Sequence, residues 1–96
     1  MNTLERLKKE IDKEELIEIA RDLIRIPSEN PPGDETEVAN VVKNWLKKFG
    51  FKIKEYKSKE KRVNVIGTIE GNKSGKTLIW NGHMDVVPAG DLNSWK

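Results

Sequence analysis

The chain has 96 residues, at most one small domain, and a chain of that size buries only about 60–65% of its unfolded surface, leaving a thin margin of stability. Hydrophobic and charged residues each make up 35%, a polar balance that suits a piece of a larger core, and a net charge of +2 lacks the one-sided excess that nucleic acid or an anionic membrane would call for. The absence of cysteine excludes disulfides and thiolate sites, and with no leader-like apolar stretch and no run near the ~18 apolar residues of a span, the expectation is a soluble cytoplasmic protein.

Leu4, Leu7 and Ile11 recur at three and four residues and suggest a short leading helix. From Asp12 to Ile26 the apolar residues Leu16, Ile17, Ala20, Leu23 and Ile24 keep helical spacing, and Asp12 and Glu15 stand in the relation of a capping box. Pro31 and Pro32 lack amide donors and bias the residues before them toward extended geometry, so Pro27-Ser28-Glu29-Asn30-Pro31-Pro32-Gly33 must be a loop. Asp34, with Glu37 three residues on, is the expected cap of a second main helix lined by Val38, Val42, Trp45, Leu46 and Phe49 and ended by Gly50.

Beyond Gly50 the period changes to two. Phe51 and Ile53 face one side of a predicted strand, with Lys52 and Lys54 on the other. The basic stretch from Lys52 to Arg62 is interrupted by Glu55 and Glu60 and reads as a solvated strand and turn. Val63, Val65, Ile66 and Ile69 predict a second strand, Gly71-Asn72-Lys73-Ser74-Gly75 a turn, and residues 77–83 a third, more buried strand. The expected fold class is therefore α/β, two main helices followed by three strands, without repeats or a domain boundary.

The predicted third strand leads into the chain's single histidine, His83, followed two positions later by Asp85. On extended backbone alternate side chains share a face, so the Asp85 carboxylate can approach one imidazole nitrogen of His83, fix the ring and raise the basicity of the other nitrogen. A loop leaving the end of a strand is also where α/β folds place ligands, and Pro88 and Gly90 release the chain into such a loop. His-x-Asp alone is weak, because an Asp stands two residues after a His about one time in twenty at ordinary abundance. Read singly, His83 is a hydrogen-bonded or exposed strand-end residue and Asp85 a turn residue before Pro88.

The whole string Gly82-His83-Met84-Asp85-Val86-Val87-Pro88-Ala89-Gly90-Asp91, with Trp95 beyond it, resembles the first signature of the dinuclear-zinc peptidase and deacylase family. That family includes acetylornithine deacetylase, succinyl-diaminopimelate desuccinylase, aminoacylases and glutamate-releasing carboxypeptidases. Leu23-Ile24-Arg25-Ile26-Pro27-Ser28 and Asn30-Pro31-Pro32-Gly33 resemble the family's first helix end and Pro-rich loop. The resemblance implies that residues 1–96 are the amino-terminal portion of a zinc-peptidase-like α/β catalytic domain, with the rest of that domain and a dimerisation domain absent. It implies His83 as a zinc ligand and Asp85 as the catalytic residue that orients and polarises it; Asp91 and Trp95 match the start of the loop after the signature and, taken by themselves, read as turn and packing residues. Two zinc ions, with cobalt or manganese as substitutes, are implied for the complete enzyme, together with a small N-acyl amino acid or peptide substrate and a homodimeric parent. The other metal ligands and the general base of the family have no counterpart here, so the chain alone is expected to be inactive.

Ser74-Gly75-Lys76-Thr77 looks like the end of a phosphate-binding loop, but Glu70 stands where the motif's first glycine belongs and Lys76 leads into apolar residues instead of a helix. Asn72-Lys73-Ser74 fits a glycosylation acceptor only by chance without a leader. The alternative to a hydrolase is a small non-catalytic α/β module that binds a partner through an open sheet edge.

Overall fold

A computed structural model describes residues 1–96. Its elements run α1 (Thr3–Lys9), α2 (Lys13–Arg25), α3 (Thr36–Lys48), β1 (Lys52–Lys59) and β2 (Arg62–Thr68), with a single 3-10 turn at Leu92–Ser94. The class is mixed α/β: three helices and a two-stranded antiparallel sheet.

The helices begin where side chains replace missing backbone acceptors. Asn2 and Glu5 form a reciprocal capping box at α1, and the Asp12 carboxylate accepts from the Glu15 amide at 3.2 Å at α2. α1 makes no contact with another element, so its seven residues rest on local bonds alone and should fray. α3 departs from expectation by one residue. The residue flanking it is Glu35, which makes no side-chain cap, while Asp34 accepts from the Thr36 amide at 3.0 Å. Glu35 is diverted inward, its amide bonding Lys61 O at 2.9 Å and its side chain meeting Arg62. Gly50 ends α3 as expected, at φ 86°, where a side chain would be strained.

β1 and β2 form a hairpin that pairs Lys52 with Thr68 and Lys59 with Arg62, with an irregularity between Lys57 and Lys59. Val63, Val65 and Gly67 alternate onto the face covered by α3, and the core centres on Val38, Ala39 and Val63. Gly67 stands opposite Leu46: a Cβ there would lie 3.0 Å from Leu46 Cδ1 and 3.3 Å from Phe51 Cδ2. Gly67→Val is therefore expected to cost about 1–3 kcal/mol through overpacking, measured by urea unfolding, and Leu46→Ala in the same chain should return part of the loss. Equal stability of Gly67→Val and the parent would show that the α3–β2 contact is loose.

The expected third strand does not form. Residues 77–83 join no ladder, and Leu78, Ile79 and Trp80 stand in the open, Trp80 at 89% exposure. A continuous apolar run suits a strand covered on both faces, and this chain provides one layer of helices against a two-stranded sheet. The segment lacks both a pairing edge and a cover. The Cα radius of gyration, 16.4 Å against about 13 Å for a compact domain of ~100 residues, reflects the same extended tail. No helix is long and apolar enough to cross a membrane.

Candidate functional site

The signature segment is held by the Pro-rich loop, more than fifty residues earlier in the chain. Ser28 Oγ donates to Met84 O at 2.9 Å, the Val86 amide donates to Ser28 O at 3.1 Å, and the Asn30 amide donates to Val86 O at 2.8 Å. These bonds make a short parallel bridge between Glu29 and Val86, so the backbone on both sides of Asp85 is clamped. Ser28 is buried, which gives its hydroxyl a reason to be bonded.

His83 and Asp85 come together as the spacing predicts, although on extended backbone outside any sheet. His83 Nδ1 lies 2.9 Å from Asp85 O and 3.2 Å from Asp85 Oδ1. Both neighbours are acceptors, an arrangement that favours a hydrogen on Nδ1 and leaves Nε2 without a partner. The ring is 83% exposed, and it shares with Asp85, Arg62, Glu35 and Tyr56 the rim of a groove of about 590 Å³.

The other carboxylate oxygen is held from behind. Asp85 Oδ2 accepts from Asn30 Nδ2 at 3.2 Å and lies 3.5 Å from Arg62 Nη2. The same Nη2 lies 2.8 Å from Glu35 Oε1. Glu35 is buried and Arg62 one-third exposed, so Arg62 departs from the solvated strand and turn expected for its stretch; Glu55 within that stretch pairs with Lys43 at 2.7 Å as surface charges do. Glu35 Oε2 has no hydrogen-bond partner. Asn30, Glu35 and Arg62 as neighbours of Asp85 escaped the sequence reading. Nothing local marks a contact between residues 30 and 85, and only the polar Ser28 and Asn30 inside a Pro-rich loop hint at a docking role.

Asp91 takes the turn role expected of it, whereas Trp95, expected to pack, stands 69% exposed. The Asp91 carboxylate accepts from the Asn93 amide at 2.9 Å, and Trp95 Nε1 donates to Ala89 O at 2.9 Å. Lys76 opens no helix, as the phosphate-loop reading would require.

The Asn30 hydrogen bond, aided by the His83 and Arg62 charges, holds the Asp85 carboxyl below its usual range. The Thr36 backbone amide does the same for Asp34, and the Lys43 ammonium for Glu55. With native pKa values lowered, the unfolded chain takes up protons first, so the stability these groups contribute is present above the carboxylate range and lost as pH falls through it. The urea midpoint followed by circular dichroism should therefore be lower at about pH 3 than at pH 7, and an equal or higher midpoint would contradict these assignments.

No protein-family model and no solved structure matches the chain. Curated proteins do. The chain is 35% identical over 92 residues to the N-formyl-4-amino-5-aminomethyl-2-methylpyrimidine deformylase of Bacillus subtilis (strain 168), covering 93% of this chain and 22% of that protein. It is 35% identical over 83 residues to a probable succinyl-diaminopimelate desuccinylase of Staphylococcus aureus (strain Mu50), covering 86% of this chain and 20% of that one. A second deformylase, from Halalkalibacterium halodurans, is 27% identical over the whole chain and 24% of its own length. The chain thus spans about a fifth of the length of the curated relatives it matches. It is a homologue of part of these hydrolases, in line with the peptidase and deacylase resemblance carried by residues 82–91.

Proposed function

We propose that this chain is the amino-terminal portion of the catalytic domain of a metal-dependent amide hydrolase acting on small N-acylated amines or amino acids. One observation carries the reading: His83 turns Nδ1 toward two acceptors of Asp85 and leaves Nε2 free at the rim of a groove. That is the state in which an imidazole binds a metal ion, with its second nitrogen fixed by a carboxylate. The residues fit one ligand's share of a site. No group of three His, Asp or Glu side chains is placed to hold a metal ion, whereas a zinc site wants at least three protein ligands.

In this reading His83 Nε2 holds the metal, and Asp85 fixes the ring's tautomer and balances its charge. The chemistry supplied by such a metal, when bound, is polarisation of the scissile carbonyl and a nucleophilic water at neutral pH. The groove beside His83 offers the acyl group a place to lie, and the exposed Leu78, Ile79 and Trp80 are the surface that further parts of the longer protein would cover. Zinc, with cobalt or manganese as substitutes, a cytoplasmic location and a homodimeric parent belong to the same proposal. The names of the relatives, deformylase and desuccinylase, favour a hydrolase over an interaction module.

Because the chain has a single histidine, zinc titration with detection of its imidazole nitrogens tests the proposal directly. Weak binding that shifts Nε2 and disappears in His83→Ala is expected, together with no measurable hydrolysis of N-formyl or N-succinyl substrates by the 96-residue chain. Tight stoichiometric binding by both the parent and His83→Ala would overturn the assignment of His83.

A further inference from the structure

We infer that Asn30 and the Arg62–Glu35 pair are positioning residues that act on His83 through Asp85. The inference deepens the proposed function and rests on His83 being the metal-binding group. The two Asp85 oxygens are divided between two tasks. Oδ1 lies 3.2 Å from His83 Nδ1, and Oδ2 is taken by Asn30 Nδ2 at 3.2 Å and approached by Arg62 Nη2 at 3.5 Å. With Oδ2 engaged from behind, rotation of the carboxylate away from the imidazole would break both contacts, so Oδ1 is kept on the ring.

Arg62 itself is fixed rather than free. Its Nη2 pairs at 2.8 Å with a Glu35 side chain that is only 7% exposed, and a Cβ on Gly33 would collide with Arg62 Nη1, so the guanidinium is packed against the loop backbone as well. Asn30 is fixed by its own amide, which donates to Val86 O at 2.8 Å. One support therefore comes from the Pro-rich loop and the other from the start of β2, and they meet on one oxygen. Asp85 remains 28% exposed, and without these donors water would compete for it and leave His83 only the neutral carbonyl of Asp85. A carboxylate beside Nδ1 makes Nε2 a stronger donor than a carbonyl alone does.

Nitrogen spectra of the 15N-labelled chain report the hydrogen on each imidazole nitrogen without metal, and zinc titration of the same samples reports the donor strength of Nε2. Asp85→Ala sets the scale, with an expected loss of zinc affinity of about 10-fold or more. Asn30→Ala and Arg62→Lys should each move the imidazole spectrum toward that of Asp85→Ala and weaken zinc binding on the order of threefold to tenfold, and the double variant should do so further. Arg62→Lys keeps a positive charge beside Glu35, and Asn30 is exposed, so amide spectra should remain those of the folded chain; if Arg62→Lys unfolds, Asn30→Ala decides alone. Folded variants that keep the parent's imidazole spectrum and zinc affinity would overturn the positioning role, as would an Asp85→Ala chain that changes neither. Undiminished zinc binding by His83→Ala would instead overturn the proposed function, and the metal-free imidazole spectra would still decide the positioning role.

Discussion

Replacing Arg62 with methionine is expected to destabilise the chain by about 2–3 kcal/mol, and replacing Glu35 with leucine in the same chain should restore most of the loss. The Glu35 side chain is 7% exposed, its ion pair with Arg62 is 2.8 Å long, and its second oxygen has no hydrogen-bond partner. Removing the guanidinium strands a buried carboxylate, which in a fully buried pair costs about 3–5 kcal/mol. The one-third exposure of Arg62 weakens the pair and places the loss at the lower end. Removing both charges leaves no stranded group, and apolar side chains of similar size can occupy the space nearly without penalty. With only Val38, Ala39 and Val63 as buried hydrophobic residues, a loss of this size is a large fraction of what the chain has. Urea unfolding by circular dichroism measures both variants. An Arg62→Met chain within 0.5 kcal/mol of the parent would mean that Glu35 finds water or another donor in solution.

The same pair shows where sequence reasoning ended. The helices, the Gly50 stop, the hairpin strands and the His83–Asp85 approach were legible because each depends on residues two to four apart, where periodicity and spacing act directly. The diversion of Glu35 from capping α3 was not, because it depends on Arg62, brought close only when the hairpin folds over α3. The clamp of Ser28 and Asn30 on the signature segment joins residues more than fifty apart for the same reason. The third strand was overestimated for a different reason. The run from Leu78 to Trp80 states that the segment is apolar, while strand formation also needs a pairing edge and a cover, which no local pattern supplies.

Trp45→Ala is expected to release α2 from the rest of the fold, at a cost of about 2–3 kcal/mol. A fully buried Trp→Ala change typically costs about 3–5 kcal/mol, and Trp45 is half-buried. α2 has no fully buried residue; Leu16 and Ile24 are exposed and Ile17, Ile19 and Leu23 half-buried, and Trp45 adds the hydrogen bond that ties it to α3. Trp45 Nε1 donates to Asp22 Oδ2 at 2.9 Å, its ring stacks on Phe49 with centroids 6.0 Å apart, and Lys48 Nζ lies 4.6 Å from the ring centroid. Trp45→Phe keeps an aromatic body and loses the bond to Asp22, a loss of about 1 kcal/mol. Amide exchange separates local from global effects. In Trp45→Ala the α2 amides should exchange much faster while β1 and β2 keep more of their protection, because α3 still covers the sheet through Val38 and Ala39. Uniform acceleration across α2 and the hairpin would show instead that the helices and sheet unfold as one unit, with Trp45 part of a single cooperative core.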